Sequence, residues 1–156
     1  MIGPLSFEQE PSQFPADQRS RHEELVDLFG HFIFWLRNSS LRASRKLIES
    51  DEAREKLGTI RRRYYDGVAK LSAEDRESAM LLAEETLNGF LERLLWSLGD
   101  EGIDSHIGKS HAYRFRVEME IVDLESEDVV QTETINRGGK FFGSYWGKWL
   151  NRHRDK

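Results

Sequence analysis

Three side chains near the start of the chain have types and a spacing that suit a metal ion. Glu24, Asp27 and His31 lie at positions i, i+3 and i+7, so on a helix they share one flank. Carboxylates and imidazole are common metal ligands, and a bound ion would support metal-assisted catalysis. Di-metal sites in helical proteins add a Glu-x-x-His pair on each of two helices, and this chain has no Glu-x-x-His. We therefore favour a solvated helix flank, expect no metal or cofactor, and keep a metal-dependent enzyme as an alternative.

Other catalytic patterns are weaker still. His106 and His111, with Asp104 nearby, form a small cluster in a segment predicted to be a loop, and their spacing matches no metal-binding signature. The segment 102–110 resembles a phosphate-binding loop, but five residues instead of four separate its first glycine from Gly-Lys-Ser. The chain has no cysteine, which excludes disulfides and thiolate catalysis, and no Gly-x-Ser-x-Gly motif. The residues therefore favour a protein that is not an enzyme.

A run of three arginines is the best candidate for nucleic-acid contact. Arg61, Arg62 and Arg63 precede Tyr64 and Tyr65, but consecutive helical residues point about 100° apart, so the arginines cannot share one face. The formal net charge of −5 also argues against a dedicated nucleic-acid binder. An accessory subunit bound to nucleic acid is kept as an alternative. Its contacts would be Arg61, Arg62, Arg63, Lys140, Lys148 and Arg152.

The C-terminal segment 137–156 combines aromatic and basic residues. It carries a net charge of +5, whereas residues 1–136 sum to −10. At helical spacing its apolar side chains form one ridge. These are Phe141, Phe142, Tyr145, Trp146, Trp149 and Leu150. Docking of this ridge on the rest of the chain is the favoured interpretation. Stacking on single-stranded nucleic acid, insertion into a membrane surface and burial in a partner groove stay open, and the last makes Trp146 and Trp149 candidate anchors.

Apolar periodicity predicts three helices in the first hundred residues. The stripe from Leu25 to Leu36 predicts a helix over 17–38, ended by Asn38-Ser39-Ser40. A second helix is predicted over 41–71, and an N-cap at Ser50 would split it. Ser72 and Gly99 bound a third helix over 73–98.

The pattern then changes to a period of two. Alternating apolar residues predict a strand over 111–122, a polar turn over 123–128 and a returning strand over 129–136. A short helix over 141–152 completes the chain. The predicted fold class is α+β: a three-helix N-terminal bundle followed by an antiparallel β-hairpin and a short C-terminal aromatic helix. Residues 1–15 are predicted to be an irregular arm, and 16–156 a single domain.

Hydropathy indicates a protein without a membrane span. The longest wholly apolar run is Phe32–Leu36, far below the roughly 20 residues that a spanning helix needs. No signal peptide is visible in the first fifteen residues. A cytoplasmic protein is therefore expected.

Charge is segregated along the chain, and this segregation leads to the functional hypothesis. Residues 41–70 carry a net charge of +4, and residues 72–136 carry −11. We predict a non-catalytic protein-binding module, of the immunity or inhibitor type, that masks a basic surface on another protein such as a toxin or a defence component. The predicted contacts on the hairpin are Glu118, Glu120, Glu125, Glu127, Asp128 and Glu133. Reversing the charges of Glu118 and Glu120 should weaken binding without unfolding the protein. A homodimer formed across an open hairpin edge is a further possibility.

Overall fold

The structure is a computed structural model of the 156-residue chain, and it describes residues 17–99, 106–107, 111–112, 115–137 and 142–153. The predicted arm 1–15, together with Asp104, Lys140 and Phe141, lies outside these residues. The α+β fold class is confirmed: a long helical region precedes an antiparallel hairpin and a short C-terminal helix.

The elements follow one another along the chain with short connections. Their bounds are α1 (Gln18–Glu49), α2 (Asp51–Glu55), α3 (Thr59–Ala69), α4 (Ala73–Leu98), β1 (His106–Ile107), β2 (His111–Ala112), β3 (Glu118–Val122), β4 (Val129–Thr134) and α5 (Trp146–His153). A 3₁₀ turn, Phe142–Tyr145, runs directly into α5.

The first helix is longer than predicted. It continues through Asn38-Ser39-Ser40 to Glu49, so the predicted helix end at residue 38 is wrong. The hydroxyl of Ser39 donates to the carbonyl oxygen of Trp35 at 2.5 Å, one turn earlier, and so stays within the helix. Serine and asparagine cost only about 0.5 kcal/mol each in a helix interior, which the good helix formers on either side offset.

The segment predicted as one helix over 41–71 is divided twice. Ser50 is the N-cap of α2, and its hydroxyl accepts from the amide of Ala53 at 3.2 Å. Gly58 then precedes α3 in an extended conformation. The guanidinium of Arg54 is buried here and donates to the carbonyl oxygens of Leu47 and Ile48, both at 2.7 Å. These bonds satisfy carbonyl groups at the end of α1 that the helix leaves unpaired.

The hairpin is shorter than predicted. Only residues 118–122 of the predicted strand 111–122 pair with β4, whereas β2 pairs with β1 in a separate two-residue ladder. His106, predicted to lie in a loop, therefore belongs to a short strand. Beyond Glu118 the amide of Ile135 still donates to the carbonyl oxygen of Val117 at 2.9 Å. The side chain of Asn136 supplies the next bonds: its Oδ1 accepts from the amide of Val117, and its Nδ2 donates to the carbonyl oxygen of Phe115.

The chain divides into two compact units, which we name the hairpin unit and the helical unit. The hairpin unit consists of the described residues up to 34 together with those from 91 onward, and the helical unit consists of residues 35–90. The prediction of one domain over 16–156 stays a prediction. Aromatic and aliphatic side chains fill the core of the hairpin unit. They are Leu25, Val26, Ile33, Phe34, Leu91, Leu95, Ile135, Phe142, Tyr145, Trp146 and Trp149.

The helical unit has a more polar interior. Arg37 on α1 is only 3% exposed and donates to Asn88 of α4 at 2.6 Å, and it also pairs with Glu84. Further along the same two helices, Arg45 pairs with Glu77 at 3.0 Å. Charge-assisted bonds between α1 and α4 therefore set the register of these helices within the unit.

Candidate partner-binding surface

The register of the hairpin sorts the predicted acidic contacts onto two faces. Glu118 pairs with Thr134 and Glu120 with Thr132, and paired residues of an antiparallel ladder point to the same side. Both glutamates are exposed, so this is the outer face. Glu118 lies beside Arg116 at 3.0 Å, which offsets its charge, whereas Glu120 makes no ion pair with the described residues.

Glu133 belongs to the opposite face, so its placement at the partner-binding surface is wrong. It pairs with Met119, which is half-buried, and its carboxylate lies 3.2 Å from Nδ1 of the buried His22. Only 17% of the Glu133 side chain is exposed. Glu133 thus joins the inner face of the hairpin to α1, and a one-residue step along a strand is enough to move a carboxylate from the outer face to the core.

The turn at the end of the hairpin is held by its own hydrogen bonds. Oδ1 of Asp123 accepts from the amides of Ser126 at 2.8 Å and Glu125 at 2.9 Å, and the amide of Asp123 donates to the carbonyl oxygen of Asp128. The N–H groups of Ser126 and Glu125 hold the pKa of the Asp123 carboxyl below its ordinary value. The carboxylate therefore stays ionised near neutral pH, and the loop has a defined conformation.

Glu127 adopts a left-handed backbone conformation, with φ of 60°. A glycine would occupy this conformation without steric cost, whereas a residue with a Cβ pays about 1–2 kcal/mol. Its amide donates to the carbonyl oxygen of Asp123 at 3.0 Å, which keeps it in the turn. The chain thus places an exposed carboxylate at a position where the backbone favours glycine.

Apolar side chains project from the same end of the hairpin. Leu124 is 98% exposed, and Val122, Val129 and Val130 are each about half exposed. We name residues 122–130 the hairpin tip. Between 117 and 136 the chain has seven acidic residues and no Lys or Arg. The hairpin tip therefore combines an apolar knob at Leu124 with surrounding negative charge.

A single buried side chain anchors the base of the hairpin. Asn136 is 5% exposed, and its Nδ2 donates to the carbonyl oxygen of Leu98 at the end of α4 at 2.5 Å as well as to that of Phe115 at 3.1 Å. Its Oδ1 accepts from Val117 at 2.9 Å. One side-chain amide thus joins both strands of the hairpin to a helix. We name this base of the hairpin, around Val117 and Asn136, the stem, and it fixes the position from which the hairpin tip projects.

Trp146 and Trp149 lie in the core, so neither can serve as a partner anchor. Trp149 is fully buried and stacks on Tyr145 with ring centroids 5.6 Å apart, and Trp146 stacks on Phe34 at 5.0 Å. The hydroxyl of Tyr145 also donates to Glu23 at 2.8 Å. The C-terminal aromatic ridge therefore docks on α1, which was the favoured one of the four interpretations.

The cations of this segment are engaged as well. Lys148 and Arg152 both donate to the carboxylate of Asp27, at 2.7 Å and 3.1 Å, and Nε1 of Trp149 donates to the same carboxylate at 3.0 Å. Partial burial opposes ionisation of Asp27, but the bonds from Lys148, Trp149 and Arg152 outweigh it and lower the pKa. Lys148 and Arg152 are thus paired within the hairpin unit, which argues against their predicted contact with nucleic acid.

The same carboxylate was the centre of the predicted metal triad of Glu24, Asp27 and His31. Because Asp27 already accepts from two cations and an indole, a metal ion would have to displace them. Among the residues that the structure describes, no group of three or more His, Asp or Glu has an arrangement that could hold a metal ion. The second cluster includes Asp104, which lies outside those residues.

The three arginines of α3 separate as the helical spacing predicts. Arg62 lies toward Asp66 at 3.5 Å, and Asp66 also accepts from the buried Arg54 at 2.9 Å. Arg61 and Arg63 are exposed and make no ion pair with any described residue. Lys140 lies outside the described residues, and of the other five predicted nucleic-acid contacts only Arg61 and Arg63 are both exposed and without an ion pair to a described residue.

Comparison of the chain with protein-family models, with curated proteins and with solved structures finds no match. In the described part of the chain, no helix is both long and apolar enough to cross a bilayer. The geometry of the hairpin tip is therefore the feature of the chain that bears on its function. Leu124 is not among the predicted contacts, although it is the one apolar residue in the acidic segment 123–128.

Proposed function

We propose that this chain is a non-catalytic protein-binding module that inserts Leu124 of the hairpin tip into an apolar pocket with a basic rim on another protein. Masking such a surface is the action of an immunity-type or inhibitor protein directed at a toxin or a defence component. The observation that carries the proposal is a leucine that is 98% exposed on an ordered turn and ringed by carboxylates.

The conformation of the turn supports this use. A leucine on a flexible loop loses conformational entropy when the loop becomes ordered on binding. Leu124 lies on a turn that Asp123 already holds in one conformation, so this cost is small. Glu127 adds to the argument, because backbone strain of a non-glycine residue is most often kept where the side chain has a function. The tip is thus preorganised for contact.

The charge pattern determines what kind of partner fits. Carboxylates around an apolar contact attract a basic surface over several ångströms and disfavour acidic partners. Glu120, Glu125, Glu127 and Asp128 remain as contacts from the predicted set. Glu118 contributes less to the attraction of a basic partner, because Arg116 offsets its charge.

A photoreactive residue in place of Leu124 provides the first test. Benzoyl-phenylalanine at position 124 should form a covalent adduct with the partner in cells that make both proteins, and mass spectrometry of the adduct identifies it. The matched control carries the same residue at Leu82, which is 68% exposed on α4. An adduct from position 124 that also forms from position 82 would count against a specific surface.

The identified partner then allows a kinetic test with purified proteins. Glu125→Lys with Asp128→Lys should slow association about tenfold or more at low ionic strength and weaken its dependence on salt, because steering is lost. Leu124→Ala should raise the dissociation rate about tenfold, as expected for an anchor residue. The control, Glu85→Lys with Glu92→Lys, changes the net charge equally on exposed positions of α4. Equal binding by the tip variant and the control would refute the proposal.

A further inference from the structure

The outward face of α3 is apolar although nothing in the described chain covers it. The helix has no buried residue, and the side chains of Ile60 and Tyr64 are 74% and 69% exposed. They lie one turn apart and so form one short stripe. On a surface of a protein this charged, two such neighbours constitute a candidate contact surface.

Cations flank this stripe on both sides. Arg61 and Arg63 lie on opposite sides of it, because each helical step turns the side chain by about 100°. Both are exposed and make no ion pair within the described residues. Lys70, at the C-cap of the helix, lies on the same side as Arg63 and is also exposed. The outward face of α3 is therefore apolar along its centre and positively charged at its edges.

The centre of this face also has a position without a projecting side chain. Gly67 lies one turn beyond Tyr64 on the same side, and a Cβ placed there would meet no atom within 4 Å. A projecting side chain can therefore approach the helix backbone beside Ile60 and Tyr64. We name this surface, formed by Ile60, Arg61, Arg63, Tyr64 and Gly67, the α3 face.

We propose that the α3 face binds the hairpin tip of a second copy of this chain. The two surfaces are complementary in both respects: an apolar knob ringed by carboxylates meets an apolar stripe flanked by cations. This inference rests on the proposed function of the tip as a protein-docking element, and it identifies a basic partner surface that this chain itself carries. Electrostatic complementarity of this kind steers the encounter and sets the orientation of the pair.

The geometry has a specific consequence for the assembly. The contact joins two different surfaces, so two copies held by one contact keep one unused tip and one unused α3 face between them. Further copies can add head-to-tail at these unused surfaces, so the wild type can form species larger than a dimer. The contact surface is small, so the interaction is weak, and it weakens further as salt screens the charges.

Complementary variants test this arrangement on the full chain. The tip variant, Leu124→Ser with Glu125→Lys, loses the apolar side chain and one negative charge of the hairpin tip. The face variant, Arg63→Glu with Tyr64→Ser, loses the aromatic ring and one positive charge of the α3 face. All four residues are exposed, so folding should be retained, which circular dichroism checks. Sedimentation velocity should show the wild type growing in average mass from about 10 to about 500 µM at low salt, whereas each variant alone stays monomeric. An equimolar mixture of the two variants should form dimers and nothing larger, because only one productive contact is left.

Two control variants make the result specific. Gly67→Ala places a small side chain in open space and should leave association within about twofold of the wild type, whereas Gly67→Glu adds bulk and negative charge and should abolish it. Arg42→Glu, an exposed position on α1, repeats the change of charge away from the α3 face and should leave association unchanged.

The outcomes separate this inference from the proposed function. Mixed variants that stay monomeric, or a wild type that does not self-associate, would overturn the inference, while an adduct to another protein from position 124 would still support the tip as a docking element. Self-association that persists in the tip variant would also overturn it. Binding of a single-stranded oligonucleotide that Arg63→Glu abolishes, without any self-association, would assign the α3 face to nucleic acid instead. Absence of any adduct and of any association would refute both proposals.

Discussion

The indole of Trp149 lies directly on the backbone of Gly30, so closely that a Cβ at position 30 would overlap its ring atoms. The same indole donates to Asp27, one turn earlier on α1. Asp27 and Gly30 thus form one receptor site for the C-terminal helix: a carboxylate that accepts the indole N–H, and a gap in the helix surface that admits the ring.

Gly30→Ala should therefore destabilise the protein. The added methyl forces Trp149 outward, and such overpacking costs about 1–3 kcal/mol. Urea unfolding followed by tryptophan fluorescence measures the change. Gly89→Ala is the matched control, because a Cβ there meets no atom within 4 Å. It should stabilise α4 by up to about 1 kcal/mol through helix propensity alone. Equal stability of the two variants would contradict the packing of Trp149 on α1.

Asp27 should make part of the stability depend on pH. Its pKa in the folded protein is lowered, so the unfolded chain takes up the proton first, at a pKa of about 3.9. The stabilisation is complete at neutral pH and is lost as pH falls below about 4, toward the lowered pKa of the folded state. Asp27→Asn should cost about 1–2 kcal/mol at pH 7 from the weakened bonds to Lys148 and Arg152.

Urea unfolding of both proteins between pH 7 and pH 3 measures this effect. The difference in unfolding free energy between wild type and Asp27→Asn should be largest at neutral pH and shrink in acid. A difference that stays constant over this range would show that the charge of Asp27 does not hold α5.

Asn136→Asp should loosen the stem of the hairpin. The aspartate keeps the shape and the acceptor for Val117 but loses both donors to Leu98 and Phe115, and it places negative charge beside two carbonyl oxygens. We expect a loss of about 2–4 kcal/mol, with faster hydrogen exchange at the Ile135 amide, which donates to the carbonyl oxygen of Val117 at 2.9 Å. Asn151→Asp, at an exposed position of α5, should stay within about 0.5 kcal/mol of the wild type. Unchanged exchange at Ile135 in the Asn136 variant would argue against the anchor.

Ser40→Pro tests the continuity of α1. In the middle of a helix, proline removes one hydrogen bond and clashes with the preceding turn, at a cost of about 3 kcal/mol or more. Ser40→Ala should instead stabilise the helix by roughly half a kcal/mol. Thermal unfolding of the two variants measures the contrast. If proline were tolerated at this position, the helix would end near residue 38, as its sequence suggests.

The sequence predicted the features that depend on local chemistry. Helix α4 coincides with its predicted range because Ser72 accepts from the amide of Asp75 at 3.1 Å and a strong apolar stripe follows. The alternation around Met119 predicted the hairpin. The predicted helix end at Asn38-Ser39-Ser40 was wrong because the low helix propensities of these residues cost little free energy. Packing of the following helical turns outweighs that cost.

The candidate surface was only partly predictable for a different reason. The acidic residues of the hairpin are visible in the sequence, but the face to which each belongs depends on register, which moved Glu133 to the core beside His22. Gly30 lies inside a strongly amphipathic helix, where an isolated glycine often marks a close approach by another group.

The α+β class, the charge of the hairpin and the amphipathic nature of each segment can be read from the amino-acid order, because they follow from short-range periodicity and composition. The burial of Trp146 and Trp149, the binding of cations of the chain by Asp27 and the exposure of Leu124 depend on the folded chain. An aromatic, basic segment has the same local pattern whether it docks on its own chain or on a partner. Only the matching gap at Gly30 and carboxylate at Asp27, more than a hundred residues away, select the first.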